Sequence, residues 1–187
     1  MKNLIKKLLR ENLNEISNKP LFGSGDYHEV YRFNKYPNRL FKIGTKKVVA
    51  QWVGIFKSNP MYFPKVYRVF EYKKDPLYSV VEIEMLDTKK ASDEFTKLND
   101  YLESKFDILD CNDNLITFDN FHENPCFTKF MDFVEENNPE LTELFIKWAE
   151  FLQEVTPIVE SNKKGFLDLH ARNVAYDNQG NLKMIDI

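Results

Sequence analysis

Leu167-Asp168-Leu169-His170-Ala171-Arg172-Asn173-Val174-Ala175-Tyr176, continued by Asp177-Asn178-Gln179-Gly180 and by Leu182-Lys183-Met184-Ile185-Asp186, is the stretch that decides the fold. Asn173 to Tyr176 and Leu182 to Asp186 are short β-prone runs, and the polar turn formers between them predict a hairpin. Asp168 and Asn173 stand five residues apart in a loop leading into the first run, and Asp186 closes the second. Three oxygen-bearing side chains therefore flank one hairpin.

Working back from that loop, residues 139 to 160 form the best-marked helix. Leu141, Leu144, Phe145, Trp148, Phe151, Leu152 and Val155 recur on one face, Pro139 stands at the first helical position, and Asn138 is the expected N-cap. Pro157 is expected to kink or end it. Further helices are predicted near 92 to 105 and 126 to 136, with a less regular polar stretch from 107 to 125. From Leu21 to Leu86 the texture is different, with β-prone runs at 25–33, 39–44, 64–72 and 77–86 separated by turn formers at Tyr36-Pro37-Asn38 and Lys74-Asp75-Pro76. One helix interrupts them, near 46 to 57, with Val49, Trp52, Val53 and Phe56 at helical spacing. Residues 1 to 18 place Leu4, Ile5, Leu8, Leu9, Leu13 and Ile16 close to one face of an amphipathic helix. The expected organisation is an N-terminal helix over 1–20, a sheet-bearing lobe over 21–86 and a mainly helical lobe over 87–187, an α+β fold.

Composition narrows the function classes. With 187 residues, 43% hydrophobic and 29% charged, the chain has ordinary globular proportions. A formal net charge of −3 gives no cationic field over the whole molecule, so no nucleic-acid partner is expected. No apolar run approaches the roughly 18 residues of a membrane span, and charges break the first residues in a way unlike a signal peptide, so the expected location is cytoplasmic. Cys111 and Cys126 are the two cysteines, expected as reduced thiols; with His122 they fall one ligand short of a structural zinc site.

Phosphoryl transfer requires positioned phosphates, held metal ions and a carboxylate near the attacking hydroxyl, and four segments in order suit those tasks. Gly23-Ser24-Gly25, at an expected hairpin bend, lets backbone N–H groups approach phosphate oxygens. Lys42, in Arg39-Leu40-Phe41-Lys42, offers an ammonium on the strand after that bend. The Asp168 to Asn173 loop and Met184-Ile185-Asp186 supply the oxygens.

This set resembles the protein-kinase-like superfamily over about Leu21 to Ile187. Gly23, Gly25 and Val30 match the first two glycines and the valine of the glycine-rich loop G-x-G-x-x-G-x-V, with His28 in place of the third glycine. Lys42 is similar to the strand lysine of V-A-I-K, Asp168 and Asn173 to the aspartate and asparagine of H-R-D-L-x-x-x-N, and Asp186 to the aspartate of D-F-G. His170, two residues after Asp168, looks especially like aminoglycoside phosphotransferases and the atypical protein kinase haspin. The resemblance implies a two-lobe fold with a five-stranded antiparallel sheet and one helix in the first lobe and a reduced helical second lobe, holding ATP and Mg2+. It implies Asp168 as base, Asn173 and Asp186 on metal, and Gly23, Ser24, Gly25 and Lys42 on phosphates. It places Glu84 and Leu86 at the adenine edge and Val30, Phe41 and Ile83 around the ring.

The chain also departs from the pattern. Residues 45 to 58 contain no acidic partner for Lys42, Gln51 being the one centrally placed neutral polar side chain there. Phe166 replaces the catalytic-loop histidine, and the sequence stops one residue after Asp186. A truncated chain, a minimal kinase completed by a second copy or a partner protein, and a decayed pseudokinase each account for that. The expected activity is transfer of the ATP γ-phosphate to a hydroxyl, on a protein first and on a small molecule second; the alternative is a non-catalytic binding or regulatory protein.

Overall fold

The computed structural model describes residues 23–25, 28–33, 35–72, 75–105, 121–123, 125–162 and 173–185. The described chain is α+β. Its strands are β1 (Gly23–Gly25), β2 (His28–Arg32), β3 (Arg39–Thr45), β4 (Val66–Glu71), β5 (Tyr78–Glu84), β6 (Val174–Tyr176) and β7 (Leu182–Met184). Its helices are α1 (Lys46–Ser58), α2 (Thr88–Lys105), α3 (Phe127–Asn137) and α4 (Pro139–Asn162), with a 3₁₀ turn at Phe121–Glu123. The helix expected over 1–20 lies outside the described residues. Two compact units emerge, Met1–Gly54 with Lys65–Met85, and Ile55–Pro64 with Leu86–Ile187.

The first unit is an antiparallel sheet in the order β1-β2-β3-β5-β4. Strand alternation sorts its residues onto two faces. Tyr31, Phe33, Phe41, Ile43 and Val80 form an aromatic and aliphatic core on one face, flanked by Tyr36, Phe70, Tyr72 and Tyr78. Glu82, opposite Phe41, shares that face and is 1% exposed. A buried carboxylate needs charged donors, and two arginines supply them: Arg39 donates to Oε1, and Arg68 Nε donates to Oε2 at 2.7 Å. A register shift between Val66 and Arg68 makes Tyr67 the extra residue of a bulge and sets Arg68 opposite Glu82. The Tyr67 ring lies 4.2 Å beneath the Arg39 guanidinium. Tyr31, whose hydroxyl donates to Glu29 at 2.6 Å, holds its proton well above the usual range, through burial first and that bond second.

The second unit is built on α4. Leu141, Phe145, Trp148, Leu152, Val155 and Val159 recur every three or four residues and are buried. Phe130 of α3 meets Phe145 edge-on at 5.0 Å, and Phe95 of α2 meets Trp148 at 5.9 Å. Pro157 sits inside α4, which continues to Asn162 rather than ending there. Asn138 does not act as the expected side-chain cap. It closes α3, its N–H donating to the Val134 carbonyl, and its carboxamide donates to the Tyr101 hydroxyl at 2.8 Å. Cys126 is disulfide-bonded, which corrects the expectation of reduced thiols; Cys111 is the chain's other cysteine. Pairing of cysteines depends on tertiary proximity, which their number and spacing do not encode.

Candidate functional site

In the first unit the sheet register aligns the sequence-predicted phosphate residues. Gly23 pairs with Val30, Val30 with Lys42, and Lys42 with Val81, so one row crosses four strands. Gly23–Gly25 is strand rather than bend, and the connection to β2 falls at the next two residues, outside the described set. Lys42 is 3% exposed in the middle of β3. Its ammonium lies 4.4 Å from the centroid of the Trp52 ring, on the second turn of α1. The face of an indole attracts a cation electrostatically, and the helix offers no acidic residue in its first turn. Sequence reading treated Trp52 as core alone; an aromatic side chain on the inward face of the helix following the lysine strand was the available signal.

Of the three residues expected around the adenine ring, Val30 and Ile83 share the Lys42 face, Ile83 through its pairing with Leu40. Phe41 does not. It alternates with Lys42 and packs among Tyr31, Phe33 and Ile43 on the opposite face. At the end of β5, the Glu84 N–H donates to the Lys65 carbonyl at 2.9 Å and the Met85 N–H to the Asn38 carbonyl at 3.0 Å. The Leu86 main chain enters no hydrogen bond among the described residues.

In the second unit Asn173 is 7% exposed and immediately precedes β6. Its carbonyl accepts the Ile185 N–H at 2.8 Å, so the residue before Asp186 in sequence is held against Asn173. The hairpin between them is strongly tied. Asp177 accepts from the N–H groups of Gln179 and Asn181, both at 2.9 Å, and from the Asn181 carboxamide at 3.0 Å, while Gly180 takes a φ of 84°. Burial pulls the Asp177 carboxyl upward, but those bonds and nearby Lys183 outweigh it and hold it below its ordinary value.

No family model matches the sequence, and no curated protein matches it. Among solved structures, a choline kinase from Streptococcus pneumoniae is similar at a TM-score of 0.32 and 13% identity, over 96% of this chain and 67% of that one. The candidate site is therefore defined by this chain's own residues.

β6 is fastened by a second cluster that the sequence did not announce. Asp87 and Tyr176 exchange two main-chain hydrogen bonds, each 2.9 Å. The Tyr176 hydroxyl donates to Glu94, and the ammonium groups of Lys90 and Lys147 lie 4.7 and 4.2 Å from its ring. Burial, followed by Glu94, drives the Tyr176 hydroxyl far above the usual phenol range, which keeps it a donor. Asp168 and Asp186 lie outside the described residues. Among the described residues, no group of three His, Cys, Asp or Glu side chains could hold a metal ion, and no helix is long and apolar enough to cross a membrane.

Proposed function

We propose that this chain is an ATP-dependent phosphotransferase of the protein-kinase-like kind, moving the γ-phosphoryl group to a hydroxyl acceptor. The observation that carries this reading is the Lys42 ammonium, withdrawn from water in the middle of a strand, in one cross-sheet row with Gly23 and Val30. An ammonium in a low-dielectric setting attracts phosphate far more strongly than one in water. In this reading Lys42 and the Gly23-Ser24-Gly25 backbone bind phosphates. The Glu84 carbonyl and the Leu86 main chain face adenine, which the lack of a Leu86 main-chain hydrogen bond among the described residues supports.

Asn173 and Asp186 supply the hard oxygen donors that suit Mg2+, which would neutralise charge on the phosphates. The Asn173–Ile185 bond supports their working as a pair. Asp168 accepts the proton of the acceptor hydroxyl, and no covalent enzyme intermediate is required. The acceptor is a protein hydroxyl, with a small-molecule alcohol as the alternative.

γ-Labelled ATP with Mg2+ tests the proposal on the wild type and Asp168→Asn. Label moving to the protein itself, to extract proteins or to small alcohols, and vanishing in the variant, is the expected result. Failure of the wild type to bind nucleotide or to transfer label overturns it. A second reading, a nucleotide-binding protein without transfer activity, is favoured by one feature: the Lys42 ammonium rests over Trp52 beside a helix without acidic residues. Nucleotide binding without transfer under every acceptor condition selects it.

A further inference from the structure

Lys183 is a charged residue in the middle of a three-residue strand, and it is 6% exposed. Its ammonium donates to the main-chain carbonyls of Pro60 and Met61, both at 2.8 Å, and lies 3.4 Å from Asp177 Oδ2. The next residue, Met184, donates its N–H to the Tyr62 carbonyl at 2.7 Å, and the one after it, Ile185, donates to the Asn173 carbonyl at 2.8 Å. Three consecutive residues thus direct their donors at fixed acceptors, two into the 60–62 turn and one to Asn173. An apolar side chain would fill the interior at less desolvation penalty, so the ammonium has a use beyond packing. What it secures is direction: strand β7 cannot slide or rotate without breaking the Pro60 and Met61 bonds.

We infer that Lys183 is a positioning residue, holding β7 against the 60–62 turn so that Ile185 stays bonded to Asn173 and Asn173 is kept in place to serve a divalent cation. The inference rests on the phosphotransferase reading for the identity of that cation. Partners that orient metal ligands from behind govern metal affinity by roughly 10- to 100-fold, and Lys183 acts at that remove.

The test compares full-length wild type, Lys183→Met, Lys183→Gln and a control, Leu98→Ala, which destabilises α2 through a buried side chain remote in sequence. Two quantities are measured: amide hydrogen exchange at Met184 and Ile185, and the Mg2+ concentration giving half-maximal ATP-dependent transfer. In Lys183→Met, exchange at both amides accelerates by about 30-fold or more relative to the α4 core amides, a local opening, and the Mg2+ requirement rises about tenfold. Lys183→Gln, which keeps a donor, falls between, and it stands in should the methionine variant not fold. Leu98→Ala loses stability with an unchanged Mg2+ requirement. Wild-type exchange rates at Ile185 in both lysine variants overturn the inference, as does faster exchange with an unaltered Mg2+ requirement. A wild type without Mg2+-dependent transfer instead overturns the phosphotransferase reading, and the exchange data still decide whether Lys183 holds the strand.

Discussion

Glu82→Gln is the perturbation whose size derives most directly from the geometry. The carboxylate is 1% exposed and receives Arg68 Nε on one oxygen and Arg39 on the other, while the two arginine side chains remain 40% and 34% exposed. A charge-assisted hydrogen bond contributes about 1.5 to 3 kcal/mol, toward the lower part of that range here because water screens half-exposed guanidinium groups. Glutamine keeps the volume and one acceptor oxygen. Its NH2 group then faces the second guanidinium, donor against donor, in a site closed to water. One bond is lost and the other is weakened to a neutral-acceptor bond, which together removes about 3 kcal/mol of stability. Urea titration reads this as a lower midpoint at unchanged slope. Replacing Glu82, Arg39 and Arg68 together by methionine should return stability to within about 1.5 kcal/mol of wild type, because no buried charge is then left without a partner. A Glu82→Gln loss below about 1 kcal/mol would refute the view that Glu82 is the electrostatic centre of this face.

Four further outcomes are expected. Reducing the Cys126 disulfide, or Cys126→Ser, should lower stability by about 2 to 4 kcal/mol, the usual contribution of a native disulfide, and an unchanged urea midpoint under dithiothreitol counts against it. Gly180→Ala should destabilise by about 1 kcal/mol because the backbone there takes a φ of 84°. Gly54→Ala should stabilise α1 by a similar amount, since a Cβ there meets nothing within 4 Å; calorimetry on both variants checks the opposite signs. Asp177 has a depressed folded-state pKa, so its contribution is complete above the ordinary carboxylate value of 3.8 and is lost as the pH falls through the folded value. Melting curves of wild type and Asp177→Asn should therefore differ at pH 6 and converge in strong acid, and a constant difference down to pH 2 would contradict the assignment.

Read alone, the amino-acid sequence marked most of the elements that the structure describes. β-Prone runs between turn formers marked β2 to β5, three- and four-residue recurrence marked α1 and α4, and the turn formers from Asp177 to Gly180 marked the terminal hairpin; each is a local pattern, written within or beside one element. It also proposed Gly23, Lys42, Asp168, Asn173 and Asp186 as a chemical set, of which the described structure aligns Gly23 with Lys42 and ties Asn173 to Ile185. Tertiary structure alone decided the rest. It sent Phe41 to the face away from Lys42, set Trp52 beneath the ammonium, gathered Arg39 and Arg68 onto Glu82, and joined Lys183 to carbonyls 122 and 123 residues earlier. Partners so distant in the chain leave no periodic trace, because what selects them is the need of a buried charge for a hydrogen bond, and that need exists only once the interior has closed.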